Sequence, residues 1–241
     1  ISSDGRHGVV DLSDGRRIKS DMVLYAAGRV GASKDLGLEH LGQSPDSRGR
    51  LKVDPSTYET DVSGSYAAGD IIGFPSLAST SMEQGRIAVC HAFDVPNPPK
   101  PEHFPYGIYA VPEISTIGLS ERELREKRIP YETGIARFRE TSRGHIMGLQ
   151  RGMLKMLFHL ETRKLLGVHI VGEGATELIH IGQAVLVLEG ELSYFIDNVF
   201  NYPTLAEAYK IAALDAWNRV SLHQKAPDQV DEPAPLSVIN G

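Results

Sequence analysis

Two stretches of the chain hold residue types whose spacing could serve chemistry. In the first, the short apolar segment Tyr66-Ala67-Ala68 ends on Gly69-Asp70, and a turn at Gly73–Pro75 leads to a helical pattern from about Leu77. A carboxylate at the carboxyl end of a strand stands where open α/β sheets bind ligands. As an acceptor it suits a sugar or ribityl hydroxyl. The helix start beyond it offers amide groups without intrahelical acceptors and the positive end of a dipole, both of which favour an electron-rich ligand. Gly-Asp is also a common turn dipeptide, and by residue type alone Asp70 reads first as a turn residue. The second stretch is Tyr202-Pro203-Thr204-Leu205-Ala206-Glu207. Thr204 and Glu207 have the spacing of a capping box, which accounts for both without catalysis. A functional role would need Tyr202 and Glu207 to face a ligand at a helix start.

Other chemistries find no support. The nine histidines do not group: His169 and His180 fall in different elements, and neither a His-Glu-x-x-His pattern nor a zinc-type Cys/His spacing occurs, so no metal is expected. Nucleophile-elbow, P-loop and Gly-x-Gly-x-x-Gly patterns are absent. The single cysteine, Cys90, forbids an intrachain disulfide and any dithiol centre built from this chain alone. One thiol also suits a reducing cytosol, and a cytoplasmic location is expected. With 25 Lys and Arg against 31 Asp and Glu, the formal charge of −6 argues against a nucleic-acid partner. The longest apolar runs, such as Met22–Ala27, fall far short of the ~18 residues of a membrane span.

The elements that must position these residues follow from periodicity. A chain of 241 residues has room for one or two domains. Residues 4–29 read as a short meander with a strand at Gly8–Leu12, a turn at Asp14-Gly15 and a doubly covered strand at Met22–Ala27. Short strands are expected at Leu51–Val53 and Ser65–Ala68, then a helix capped by Ser76 and running to about Phe93. Pro96-Asn97-Pro98-Pro99-Lys100-Pro101 is a linker and marks a domain boundary. Beyond it, Ser120-x-x-Glu123 is a capping box for a helix to about Arg128. Strands are expected at Tyr131–Phe138, Gly152–Leu160 and Leu165–Val171, and helices at 175–189, 192–198 and 204–220. The helix at 175–189 has almost no polar face, which means burial either in the core or under a second subunit. The tail from Gln224 lacks periodicity and reads as disordered. The chain begins on Ile1 without a targeting segment and enters strand-forming sequence at once, as a piece of a longer polypeptide would.

In this order the segments resemble the flavoprotein reductases with two dinucleotide-binding domains. Asp21–Arg29 is similar to the strand leaving their pyridine-nucleotide domain, and Thr60–Asp70 to their second flavin motif. Val111–Leu119 resembles the opening of their dimerisation domain, and Val168–Thr176 its last strand turning into its long helix. The resemblance implies an α/β plus α+β architecture: residues 1–33 ending an NAD(P) domain, 34–98 forming the second half of an FAD domain, 103–223 a dimerisation domain, and 224–241 a tail. It implies one FAD per subunit, with NAD and NADP as substrates and a homodimer as the assembly. Asp70 would bond a ribityl or ribose-side hydroxyl. Leu77, Ala78 and Ser79 would present amides to the pyrimidine end of the flavin, where the helix dipole stabilises negative charge on the reduced ring. Gly28 and Arg29 would lie on the nicotinamide path.

One departure narrows the activity. Disulfide reductases of this family carry a His-Pro-Thr sequence where Tyr202-Pro203-Thr204 stands, and that histidine is the acid–base partner of their thiol chemistry. A phenol, with an ordinary pKa near ~10, is a poor proton shuttle at neutral pH. Tyr202 therefore fits a hydride relay from NADPH through FAD to NAD, a transhydrogenase reaction that needs no such base; Glu207, the other candidate catalytic residue, then reverts mainly to helix capping. The alternatives are a dihydrolipoamide dehydrogenase-like disulfide reductase, or a non-catalytic dimerisation module. By itself the chain is expected to be inactive.

Overall fold

The computed structural model describes residues 1–96 and 101–225. The chain divides into two compact units, Ile1–Lys100 and Pro101–Gly241. Most of the proline-rich stretch (97–100) and of the tail (226–241) lies outside the described residues.

The first unit opens with a small antiparallel sheet of β1 (Ser2–Ser3), β2 (Gly8–Asp11) and β3 (Arg17–Ser20), paired in that order. The Asp14-Gly15 turn closes β2 onto β3, with Gly15 N–H donating to Leu12 O at 3.0 Å. The run Met22–Ala27 is not a strand. Met22, Leu24 and Tyr25 are 85, 88 and 75 % exposed, because an uninterrupted apolar strand forms only between neighbours that take its hydrogen bonds and cover both its faces, and among the described residues no strand pairs with it. The strands expected at Leu51–Val53 and Ser65–Ala68 shrink to isolated bridges, Val53 with Thr60 and Glu59 with Tyr66. Helix α1 (Ala78–Ala92) forms at the expected place and ends at Phe93, but its N-cap is Leu77. Ser76 does not cap it, since its hydroxyl donates to Gly73 O at 2.9 Å. The unit's apolar cluster is small: Tyr58, Ile87 and Ala88 are its buried members.

The second unit is built on a five-stranded antiparallel sheet in the order β4-β5-β8-β7-β6, from β4 (Tyr106–Ile108), β5 (Ile114–Gly118), β6 (Tyr131–Arg137), β7 (Met153–His159) and β8 (Leu165–Val171). The strands β6, β7 and β8 lie where their alternation predicts. The strands β4 and β5 escape periodicity, being short, the first interrupted by Gly107 and the second ending on Gly118. Leu154, Met156, Phe158, Val168 and Ile170 turn one face of the sheet toward α4 (Ala175–Val187), α5 (Leu192–Asp197) and α6 (Glu207–Lys225), where Phe195, Tyr209 and Ala212 complete the core. A short helix, α2 (Glu121–Glu126), forms with both reciprocal bonds of the Ser120/Glu123 capping box, and α3 (Ser142–Ile146) lies in the β6–β7 connection.

Helix α4 is not buried on every side. Ile179, Val185 and Leu186 enter the core, while Val187 and the residue after the helix, Leu188, are exposed. The capping box expected at Thr204 is also absent. The α6 helix starts at Glu207 itself, and the Thr204 hydroxyl is taken by Asn201 O at 2.6 Å. The helix continues past the expected end near 220 to Lys225, so Gln224 and Lys225, placed by the sequence in the tail, belong to it. No helix among the described residues is long and apolar enough to cross a membrane.

Candidate functional site

In the first unit, backbone geometry places Asp70 against the start of α1. Gly69, at φ +85°, opens a one-turn 3-10 segment, Gly69–Ile72. A Cβ there would meet Ser81 Oγ at 3.2 Å, so the turn lies directly on the first turns of α1. The buried side chain of Gln84 fixes it, its Oε1 accepting from Gly69 N–H at 2.7 Å. Sequence reasoning missed Gln84; its signal was a polar residue on the same stripe as Ile87 and Ala88, the apolar face of α1.

The mouth of α1 is left open by its own side chains. Thr80 Oγ1 donates to Pro75 O at 3.0 Å and Leu77 O at 2.9 Å, and Ser81 Oγ donates to Leu77 O at 2.8 Å. Each hydroxyl is spent on a carbonyl, and no side chain caps the helix. The amides of Ala78 and Ser79 thus keep the unpaired N–H groups of a helix start, with the positive end of the dipole behind them. Arg29 Nε stands 3.3 Å from Asp70 Oδ2, a pairing that brings two of the expected residues together across 41 positions of sequence. Gly28, at φ +104°, precedes it in the left-handed region where a residue without a Cβ is unstrained. The arrangement offers a carboxylate acceptor, a guanidinium and free amides on one unit. That donor and acceptor set matches a ribityl-type hydroxyl and an electron-rich heterocycle.

In the second unit Tyr202 and Glu207 take different partners. The Tyr202 hydroxyl is in hydrogen-bond contact with Ser142 Oγ at the start of α3, and the residue remains 68 % exposed. Among the described residues, Glu207 Oε2 is buried without a hydrogen-bond partner, an uncommon state for a carboxylate oxygen in a folded core. Ser142 was not singled out by the sequence, for nothing in local spacing joins positions 60 residues apart. Among the described residues no group of His, Cys, Asp or Glu is placed to hold a metal ion.

Elsewhere in this unit His169 is held by Leu119 O at 3.1 Å, and burial pulls its pKa below the usual range. Lys155 Nζ and Glu121 Oε1 pair at 2.6 Å, a contact that holds the Glu121 carboxyl below its ordinary range.

Two family models match the chain. One, described as the pyridine nucleotide-disulphide oxidoreductase dimerisation domain, covers residues 104–213, and one described as pyridine nucleotide-disulphide oxidoreductase covers residues 1–85. A soluble pyridine nucleotide transhydrogenase from Mycobacterium bovis is 51% identical over 212 residues, 88% of this chain and 45% of the relative. One from Yersinia pestis is 49% identical over 216 residues, 88% of this chain and 46% of the relative. The crystal structure of LpdA from Mycobacterium tuberculosis superposes with a TM-score of 0.76 at 26% identity, over 87% of this chain and 46% of that one. The chain thus spans about half the length of the curated relatives it matches.

Proposed function

The chain belongs to the pyridine nucleotide-disulphide oxidoreductase family over residues 1–85 and 104–213, and from that premise we propose that it supplies half of an FAD cradle and the dimerisation domain of an NAD(P) transhydrogenase. The observation that carries this reading is the open mouth of α1 beside the Gly69-Asp70 turn, where the Thr80 and Ser81 hydroxyls donate to carbonyls and no side chain caps the helix. FAD, when bound, supplies a ring that accepts hydride from one nicotinamide and passes it to another. In this reading Asp70 accepts from a hydroxyl of the cofactor's sugar-like chain, and the Leu77–Ser79 backbone donates to its electron-rich end. Gly28 and Arg29 border the nicotinamide path. The helix dipole favours the charge that develops there.

Tyr202 distinguishes the transhydrogenase reading from a disulfide reductase. Its hydroxyl is engaged by Ser142, and no histidine occupies the position from which thiol chemistry would be driven. Glu207 serves there as the second candidate residue. The first unit's exposed apolar residues, Met22, Leu24, Tyr25 and Phe74 among them, support a parent in which further chain covers them. The same reading makes the 241 residues alone inactive, the parent a homodimer and its location cytoplasmic. It assigns residues 1–33 to the end of an NAD(P) domain and 34–98 to the second half of an FAD domain.

The test uses the parent protein with bound flavin. Hydride transfer from NADPH to a chromogenic NAD analogue is expected without added thiol or disulfide. Asp70→Ala is expected to weaken flavin retention roughly 10–100-fold, the loss of a hydrogen bond to a charged acceptor, measured by flavin absorbance after dialysis. NADPH-dependent reduction of a disulfide at a higher rate than the analogue would overturn the reading in favour of the disulfide reductase.

A further inference from the structure

Helix α1 buries four residues, Thr80, Gln84, Ile87 and Ala88, on one stripe at helical spacing. Ile87 and Ala88 join the unit's small apolar cluster. The other two positions, 2 and 4 % exposed, hold polar side chains. In a unit with so little apolar core, an aliphatic residue at either place would add buried area, and a buried hydroxyl or amide costs stability unless it is bonded. Both side chains spend their bonds on one segment, the loop 69–77 that joins the Asp70 turn to the mouth of α1.

Gln84 holds the near end of that loop and Thr80 the far end. Gln84 Oε1 accepts from Gly69 N–H at 2.7 Å, one residue before Asp70. Thr80 Oγ1 donates to Pro75 O at 3.0 Å and to Leu77 O at 2.9 Å, the carbonyl of the helix's N-cap residue. One helical turn separates the two side chains, so both leave α1 from the same face. Between these ends the loop is braced from outside. Leu51 N–H donates to Ile71 O at 2.8 Å, and the Arg50 side chain lies on Gly73, where a Cβ would come 3.2 Å from its Cδ. Asp70 and the amides of 77–79 thus stand at opposite ends of a loop fastened at each end to one stretch of α1.

We propose that Thr80 and Gln84 are positioning residues for the flavin, a clasp that sets the Asp70 carboxylate and the Leu77–Ser79 amides at one fixed separation. The inference rests on the cradle reading of the first unit and names the buried groups that give the cradle its shape. Both side chains act through the backbone they bond. An acceptor and a set of donors that serve one ligand bind it with full effect only when their spacing is preset, since ordering the loop at the moment of binding would subtract from the affinity. The same spacing decides how the positive end of α1 meets negative charge on the flavin.

The experiment measures FAD retention and the midpoint potential of the bound flavin in the parent protein. Gln84→Met keeps the length of the side chain and removes its acceptor, and Thr80→Val removes the hydroxyl. Each is expected to weaken FAD retention roughly tenfold and to shift the potential to more negative values, because the amides of α1 no longer meet the ring in line. Thr80→Ser keeps the hydroxyl and should match the wild type on both readouts. Ile87→Val shortens an apolar side chain on the same stripe and lowers stability. It should leave the potential unchanged, since that quantity is read only on molecules that hold flavin. The clasp is overturned by an unchanged potential in either Gln84→Met or Thr80→Val, by Thr80→Ser behaving as Thr80→Val does, or by Ile87→Val moving the potential as far. If Gln84→Met fails to fold, the two Thr80 variants decide. Asp70→Ala separates this inference from the reading beneath it. Weakened retention there, with Gln84→Met and Thr80→Val unaffected, leaves the cradle standing and removes the clasp, whereas unchanged retention in Asp70→Ala removes both.

Discussion

At Tyr209 a phenol hydroxyl stands where α4 would otherwise close its own ladder. It donates to Leu178 O at 2.7 Å and accepts from Gly182 N–H at 3.1 Å, a donor and acceptor that an unbroken helix would join to each other. Burial pushes the phenol's pKa far above its usual value, so the group stays neutral and both bonds persist at any ordinary pH. Gly182 permits the approach, since a Cβ there would lie 3.0 Å from that hydroxyl and 2.7 Å from Val168 Cγ2. Tyr209→Phe is expected to cost about 1–2 kcal/mol through two buried groups left unmatched, read as a shift in the urea midpoint. Gly182→Ala should cost at least as much, because its new methyl strikes both neighbours. Residue types together with the family resemblance singled out Asp70, Leu77 and Tyr202, because the motifs that carry them are local in sequence. They did not point to Gln84, Ser142 or Tyr209, whose partners lie 15 to 60 positions away.

The start of α4 is capped from outside its own sequence. Glu113, in the approach to β5, accepts from Thr176 N–H at 3.1 Å and Thr176 Oγ1 at 2.7 Å, and these bonds hold its carboxyl below the ordinary range. A carboxylate at a helix start gains from both the free amide and the dipole. Because the folded pKa is depressed, the contribution is complete above the glutamate's unfolded value near ~4.3 and is lost as pH falls below it. Glu113→Gln should therefore lower stability by about 1 kcal/mol at neutral pH, and the gap between variant and wild type should close in denaturant titrations at about pH 3. The edge strand β6 is guarded in a related way. Asp215 of α6 accepts from Ile135 N–H at 3.0 Å, and at Gly134 a Cβ would lie 1.9 Å from Ala212 O. The helix backbone rests on the strand there, and Gly134→Ala is expected to cost more than about 3 kcal/mol, or to prevent folding, by forcing the two apart. Thermal melts of the purified variant measure it. The Ser120/Glu123 box was legible because its partners are three residues apart. Glu113 was not, because its cap spans 63 positions.

The two units differ in how much apolar surface they bury. The second encloses a continuous core from Ile117 through Ala216, while the first buries only Tyr58, Ile87 and Ala88 in its cluster. Since stability follows buried apolar area, amide hydrogen exchange is expected to be faster across residues 1–96 than across the sheet and helices of the second unit. Equal protection in both would contradict that ranking. Periodicity by itself determined the strands β6 to β8 and the helices α1, α4 and α5, because each of these patterns is written in residues two to four positions apart. It also marked Met22–Ala27 as a strand, which the tertiary structure denies for want of paired neighbours. The open mouth of α1, the Arg29–Asp70 pair, the cap of α4 and the bonds from Thr80 and Gln84 to the loop 69–77 were decided only by the folded chain. Each depends on which groups find a partner in space, and a linear pattern of residue types does not contain that distance.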